Sequence, residues 1–165
     1  ISTLHAFVCA HATSTRWGVQ EMSVARICTR SVDLADPGES VLVAAGRMHT
    51  RNVGTLVVID EKKRPLGILT DRDLATRVVA CGLDANTTTV DQVMSTSPDR
   101  VSEQTSIEAA IATMRAGAHR RLPVVDENER LVGLVSLDDV LDLLSEEFEE
   151  IGKLIRKESP EALAV

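Results

Sequence analysis

Aromatic side chains are almost missing from this chain: they make up 2% of its 165 residues, and there is no Tyr. Single-stranded nucleic acids are held by bases stacked on aromatic platforms, so the shortage argues against that function class. A planar ligand would have to lie against aliphatic walls and backbone. Positive charge is also in deficit. A formal net charge of −7 opposes non-specific duplex binding, which needs a basic surface. No apolar run approaches the roughly 20 residues that span a bilayer, so no membrane span is expected. The three cysteines, Cys9, Cys28 and Cys81, have no paired spacing. Their odd count fits reduced thiols rather than a disulfide framework, and each is expected as a small buried hydrophobe. A soluble cytoplasmic protein is the reading of this balance.

Catalytic apparatus is equally scarce. There is no GxxxxGK[ST] loop, and no His, Cys or Ser stands in a recognisable nucleophile arrangement. His49 and His119 are solitary and read as surface or boundary residues. His5, Cys9 and His11 lack a fourth partner for a metal. An enzyme is therefore not expected, nor a metal, nor an obligatory cofactor.

What the chain does contain is itself, written twice. Gly67, Thr70 and Asp73 return 66 residues later as Gly133, Ser136 and Asp139. Leu56 to Leu74 aligns with Leu122 to Val140 without a gap, and seven pairs in that stretch are identical. The register persists upstream through Met48/Met114, Ala44/Ala110, Ser40/Ser106, Asp33/Asp99 and Ile27/Val93. This is a tandem repeat of two units, each marginal alone, that are expected to share one core.

Each copy reads as short strand, helix, strand, tight turn, strand, helix. In the second, Asp99 to Ser102 is extended, and Ser106 caps a helix with Ile107, Ala110, Ile111 and Met114 at helical spacing. Gly117 is expected to end it. Residues 122–126 and 131–135 form a hairpin, and a helix follows Ser136 with Leu137, Val140, Leu141 and Leu144 on one face. In the first copy Ser40 opens the helix, residues 55–60 and 66–69 are the hairpin strands, and Asp71 starts the last helix. Residues 24–28 and 90–94 read as matching helical lead-ins. The expected division is 1–21, an extension with no assigned role; 22–86, repeat one; 87–147, repeat two; and 148–165, a helical extension. Leu137, Leu141, Leu144, Phe148, Ile151 and Ile155 form a seam there, read either as a helix folded back on its own domain or as a dimer contact.

Thr70-x-x-Asp73 and Ser136-x-x-Asp139 both match the capping box that satisfies free N–H groups at a helix start. A purely structural role is one reading. The other comes from context: both follow a Gly-bearing strand and open a helix, where N–H groups and the dipole favour an anion. The hydroxyl then meets a phosphate, and the carboxylate accepts from ribose hydroxyls, as acidic residues do in nucleotide folds. The copies diverge in charge. His119-Arg120-Arg121 stands where copy one has Val53-Gly54-Thr55, and Arg72 is replaced by Asp138. A guanidinium pair beside a helix-start hydroxyl reads as a phosphate clamp, with a solvated turn as the alternative.

These residues, together with Arg121-Leu-Pro-Val-Val-Asp126, resemble the CBS-domain family in its tandem form, the Bateman module, as seen in stand-alone bacterial proteins. The resemblance covers about residues 22–147. It implies an α/β (α+β) fold of tandem β-α-β-β-α repeats, paired through their sheets about a pseudo-twofold axis, with clefts that take adenosine-containing ligands. By that resemblance Thr70 and Ser136 contact phosphate or ribose and Asp73 and Asp139 hold the ribose. Arg72, Arg120, Arg121 and Pro123 complete the candidate ligand-binding set, and Val57 in place of Pro123 marks an altered base pocket in copy one. The expected function is a non-catalytic regulatory sensor for AMP, ADP or ATP, with NADH and S-adenosylmethionine as further candidates. It is expected to be a homodimer, with an unidentified regulated protein as a further partner and no nucleic acid. A structural dimerisation module with vestigial clefts is the rival, as is a regulatory fragment of a larger enzyme, channel or transporter.

Overall fold

The computed structural model describes residues 22–158. Within them the duplication is realised as two small sheets. Helix α1 (Val24–Ile27) leads into β1 (Leu34–Ala35), α2 (Val41–Arg51), β2 (Thr55–Ile59) and β3 (Pro65–Thr70). The signature helix follows as α3 (Asp71–Asp73), running directly into a π-helical turn over Leu74–Val79. The second half repeats the order: α4 (Val90–Val93), β4 (Ser95–Thr96), β5 (Val101–Ser102), α5 (Ile107–Gly117), β6 (Arg121–Val125), β7 (Leu131–Ser136) and α6 (Leu137–Glu158). One sheet has the order β1-β2-β3-β4 and the other β5-β6-β7. In each, a parallel pair precedes an antiparallel hairpin, and the hairpins share even their irregularity, between Val58 and Ile59 and between Val124 and Val125. No helix among the described residues is long and apolar enough to cross a membrane.

The lead-ins cross between the halves. Val24 and Cys28 pack into the core of the second half with Leu122, Val124 and Val135. Val90 and Val93 pack into that of the first with Leu56, Val58 and Leu69. The hydrogen bonds obey the 66-residue offset: Val24 N–H donates to Thr105 O and Val90 N–H to Glu39 O; Ile107 N–H donates to Met22 O and Val41 N–H to Thr88 O. Strand β4 likewise joins the edge of β3 through Ile68 and Ser95, while Thr29 bridges to Leu134 on β7. Each core is thus completed by a segment that precedes the other copy, and neither half buries its apolar face alone.

This exchange explains the signature glycines. A Cβ at Gly67 would collide with the Met94 sulfur and stand 2.9 Å from Ser95 O; one at Gly133 would stand 3.1 Å from both Cys28 Sγ and Thr29 O. The crossing segments lie directly on these positions, so the strand needs a residue with no side chain there.

Several expectations are corrected. Gly117 ends α5 as expected, and the residue after it, Ala118, takes the left-handed position at φ 54°, matching Asn52 at φ 53° in the first half. Gly117 is small for another reason: a Cβ there would fall 2.5 Å from Asp99 Oδ2 and from the His119 ring. The last helix of copy one is α-helical for one turn only and continues as a π turn in which Ala80 N–H reaches Ala75 O five residues away. Ile111 is exposed rather than buried. On α6 the buried residues are Val140 and Leu143, and the expected Leu141 and Leu144 face outward. Cys28 is buried as expected, but Cys81 is exposed; its thiol sits just beyond the π turn, with Thr76 O as its acceptor. Cys9, like His5 and His11, lies outside the described residues.

Candidate functional site

Two clefts open between the halves, and the 66-residue offset carries one onto the other. The first, about 460 Å³, is lined by Ile68, Thr70 and Asp71–Asp73 from one half and by Asp99 and Ala118–Arg121 from the other, with Ser95–Pro98 along its floor. The second, about 280 Å³, sets Ser136, Asp139 and Leu134 against Ser31–Asp33 and Asn52–Thr55. Arg121 borders both. The signature of each copy therefore faces the helix-to-strand junction of its partner copy.

Each signature forms its cap in full. Thr70 N–H and Oγ1 donate to Asp73 Oδ2 at 2.9 and 2.7 Å, and Asp73 N–H returns to Thr70 Oγ1 at 3.2 Å. Ser136 and Asp139 repeat this at 2.6, 2.7 and 3.2 Å. The capping-box reading of both motifs is thus realised, and the hydroxyl protons are already committed. Nor does α3 offer free N–H groups. Asp71 N–H donates to Gly54 O and Arg72 N–H to Asp71 Oδ1. The anion-holding helix start expected in copy one is therefore closed, and positive charge in the first cleft comes from side chains.

Those side chains are brought together across the interface. Arg72 comes from the signature side and Arg120 and Arg121 from the opposite wall, facing Thr70 and Asp73. Arg121 is the most fixed of them: its side chain is one-third exposed, and Nη2 lies 4.0 Å from Asp138 Oδ2. His119 Nε2 lies 3.9 Å from Asp99 Oδ2 at the cleft edge. Pro123 departs from expectation. It is fully buried in β6 opposite Leu134, inside the sheet and not on either cleft wall, and Val57 in β2 is equally buried. The exchange between these two positions thus alters sheet packing and not a cleft surface.

The halves differ around their carboxylates. Asp73 is tied by Arg77, whose guanidinium lies 3.2 Å from Oδ1 and also donates to Val93 O at 2.6 Å and Ser95 Oγ at 3.0 Å. At the equivalent place on α6 stands Leu143, which is buried, so Asp139 has no such cation. Burial pushes the Cys28 thiol, which packs behind Gly133, above its ordinary value and keeps it protonated. Arg77, Thr55, Asp33 and Asp99 were not among the candidates read from sequence. The signal that would have found the last three was the offset itself, since Thr55 stands where copy two has Arg121, and Asp33 and Asp99 are equivalents.

The model of the CBS domain family matches residues 24–80 and again 90–146. The chain is 39% identical over 118 residues to the CBS domain-containing protein YhcV of Bacillus subtilis, covering 72% of this chain and 82% of that one. It is 32% identical over 125 residues to protein MK0525 of Methanopyrus kandleri, where the match takes in 76% of this chain but 64% of the relative's length. Among solved structures it is similar to CBSX2 in complex with AMP, with a TM-score of 0.66 and 25% identity over 76% of this chain and 97% of that one. Two matched repeats, two capped signatures facing opposite walls and the reciprocal lead-ins agree: the chain belongs to the CBS-domain family, as a tandem pair.

Proposed function

We propose that this chain is a non-catalytic, cytoplasmic sensor in which the first cleft takes an adenosine nucleotide and binding alters the chain's association with itself or with a regulated protein. The observation that carries this reading is the convergence of Arg72, Arg120 and Arg121, drawn from both halves, on a cleft of about 460 Å³. That volume lies within the usual range for small-molecule sites. Guanidinium pairs bind phosphate in a forked geometry, and CBSX2, a structural relative, was solved with AMP. A ligand held by both walls also stabilises one relative placement of the halves, the differential affinity that a sensor requires.

The decisive experiment is calorimetric titration with AMP, ADP, ATP, NADH and S-adenosylmethionine. Saturable AMP binding is expected, weakened about 10- to 100-fold in Arg120→Ala and in Arg121→Ala, the usual effect of losing a hydrogen bond to a charged group. Silence from every nucleotide overturns the reading in favour of a dimerisation module.

One observation supports self-association in either case. Leu141, Leu144, Phe148, Ile151 and Leu154 are all exposed on α6, with Phe148 at 69%. Leu137, the first residue of the seam, packs against the second core, and from Leu141 to Ile151 the seam is exposed. A second copy is the proposed occupant, and light scattering of Phe148→Asp, expected to shift toward monomer, checks it.

A further inference from the structure

Helix α6 separates its charges along its length. Asp138 to Glu150 holds seven carboxylates and no cation, while Lys153 to Lys157 holds three cations. The helix dipole favours acids only in the first turn and bases only in the last, so it does not account for Asp142 and the glutamates beyond it. Neighbours within the chain answer for some of these. Lys153 Nζ lies 3.1 Å from Glu149 Oε1 and 2.8 Å from Glu150 Oε1, and Arg26 Nη2 lies 3.3 Å from Glu147 Oε1. Asp142 and Arg156 are left over: both are exposed, and neither makes an ion pair among the described residues. They stand about 21 Å apart along the helix, too far to meet within one chain.

The apolar seam runs between them. Leu144, Phe148, Ile151 and Leu154 are exposed, and on one flank of that row the small residues Ser145 and Gly152 are one heptad apart. The Arg156 guanidinium is folded back over Gly152, with Nη1 3.5 Å from where a Cβ would be, so the charge stands at the edge of the seam. A helix face of this kind can pair with a copy of itself in two directions. Parallel pairing sets Asp142 against Asp142 and Arg156 against Arg156. Antiparallel pairing, crossing between Phe148 and Ile151, sets Arg156 of each copy against Asp142 of the other, Ser145 against Gly152, and Leu144 against Leu154.

We propose that α6 pairs antiparallel with α6 of a second copy of this chain, closed at both ends by an ion pair between Arg156 of one copy and Asp142 of the other. This rests on the self-association proposed above and adds its direction and its polar contacts. The consequence is that the two cleft-bearing bodies stand at opposite ends of the paired helices.

Dimer dissociation constants from sedimentation equilibrium test the polar contacts. Arg156→Asp and Asp142→Arg should each weaken the dimer about threefold to tenfold, the size expected of two exposed ion pairs. The double variant should return to within about twofold of the wild type, because each copy then offers the exchanged charge to the other. Single variants as tight as the wild type, or a double variant no tighter than the single ones, would overturn the inference. Direction is read by cross-linking in a Cys9→Ser, Cys81→Ser background, Cys28 being buried. Leu144→Cys mixed with Leu154→Cys should form a disulfide-linked dimer. Leu144→Cys alone should not, since its two thiols would stand about 15 Å apart along the axis. A Leu144→Cys dimer linked to itself means parallel pairing, and no link in either preparation means that α6 is not the contact; each overturns the inference. Monomers from Phe148→Asp together with a self-linked Leu144→Cys sink the direction and keep the self-association. A wild type that is monomeric at every concentration sinks both and leaves the nucleotide titrations standing.

Discussion

The two halves carry the same buried framework and opposite surroundings for their acidic residue. Leu56 and Leu122 are both wholly buried at equivalent places in β2 and β6. Yet the first half ends in one α turn and a six-residue π turn that delivers Arg77 to Asp73, while the second ends in a 22-residue helix with Leu143 in the same place. The difference teaches where a duplicated domain is free to diverge. Core positions are held in both copies by packing against the exchanged lead-ins, whereas cleft positions are under no such packing constraint.

The strongest way to break this comparison is at the two cores, which do not merge into the single core expected from the repeat but each take in a lead-in from the other side. Leu56→Ala and Leu122→Ala should each destabilise the protein by about 3 kcal/mol, the usual range for a fully buried leucine. Because Val24 and Cys28 belong to the second core and Val90 and Val93 to the first, either substitution should shift one common denaturation transition. Two separable transitions in guanidinium would show that the halves are independent.

The next test exchanges the halves' characters. Arg77→Leu gives the first half the residue of the second, removing the Asp73 pair and the bonds to Val93 O and Ser95 Oγ. The Arg77 side chain is 44% exposed, so solvent screening limits the loss to about 1 kcal/mol, read from the melting curve. The same variant frees Asp73 Oδ1. If the ion pair limits what Asp73 can accept in the first cleft, Arg77→Leu should change the AMP titration, and unchanged titrations would show that the pair is only structural.

A smaller effect separates the helix caps. Asn52 and Ala118 occupy the same left-handed position, but asparagine tolerates it and alanine does not. Ala118→Gly should therefore raise stability by about 1 kcal/mol, and Asn52→Gly by a few tenths at most, in the same melting experiment.

Much of this was legible in the sequence, and the reasons for what was not are physical. The offset between Gly67 and Gly133 located the hairpins, caps and lead-ins, because local periodicity and capping chemistry act within a few residues. The exchange was invisible: Val24 and Val90 are apolar at helical spacing whichever core receives them. Pro123 entered the candidate set through the family resemblance, yet it is fully buried in β6, where β5 pairs at Val124 and Val125 and so demands no N–H from the proline. Arg77 and Thr55 were missed because neither belongs to a motif. One matters through an ion pair four residues back, and the other through its place on the second cleft wall.

The smallest expected difference lies at the hairpin turns, and pH reads it. Asp60 Oδ1 accepts from Lys62 N–H at 2.9 Å and Arg64 N–H at 2.8 Å, and its Oδ2 accepts from the Arg64 guanidinium at 2.7 Å. Asp126 makes the two backbone bonds, to Asn128 and Arg130, without an ion pair to Arg130. The Arg64 backbone N–H, followed by its guanidinium, holds the Asp60 carboxyl below its ordinary value. A group depressed in the folded state stabilises it above the unfolded value, about pH 4, and that contribution fades as pH falls through the lowered value. Asp60→Asn should therefore flatten the acid side of the melting profile between about pH 5 and 3 while changing little at neutral pH. The Arg64 side chain is half exposed, so the change should be near the limit of measurement and smaller at high salt. An equal flattening in Asp126→Asn would place the effect in the backbone bonds common to both turns, and a flattening confined to Asp60→Asn would place it in Arg64.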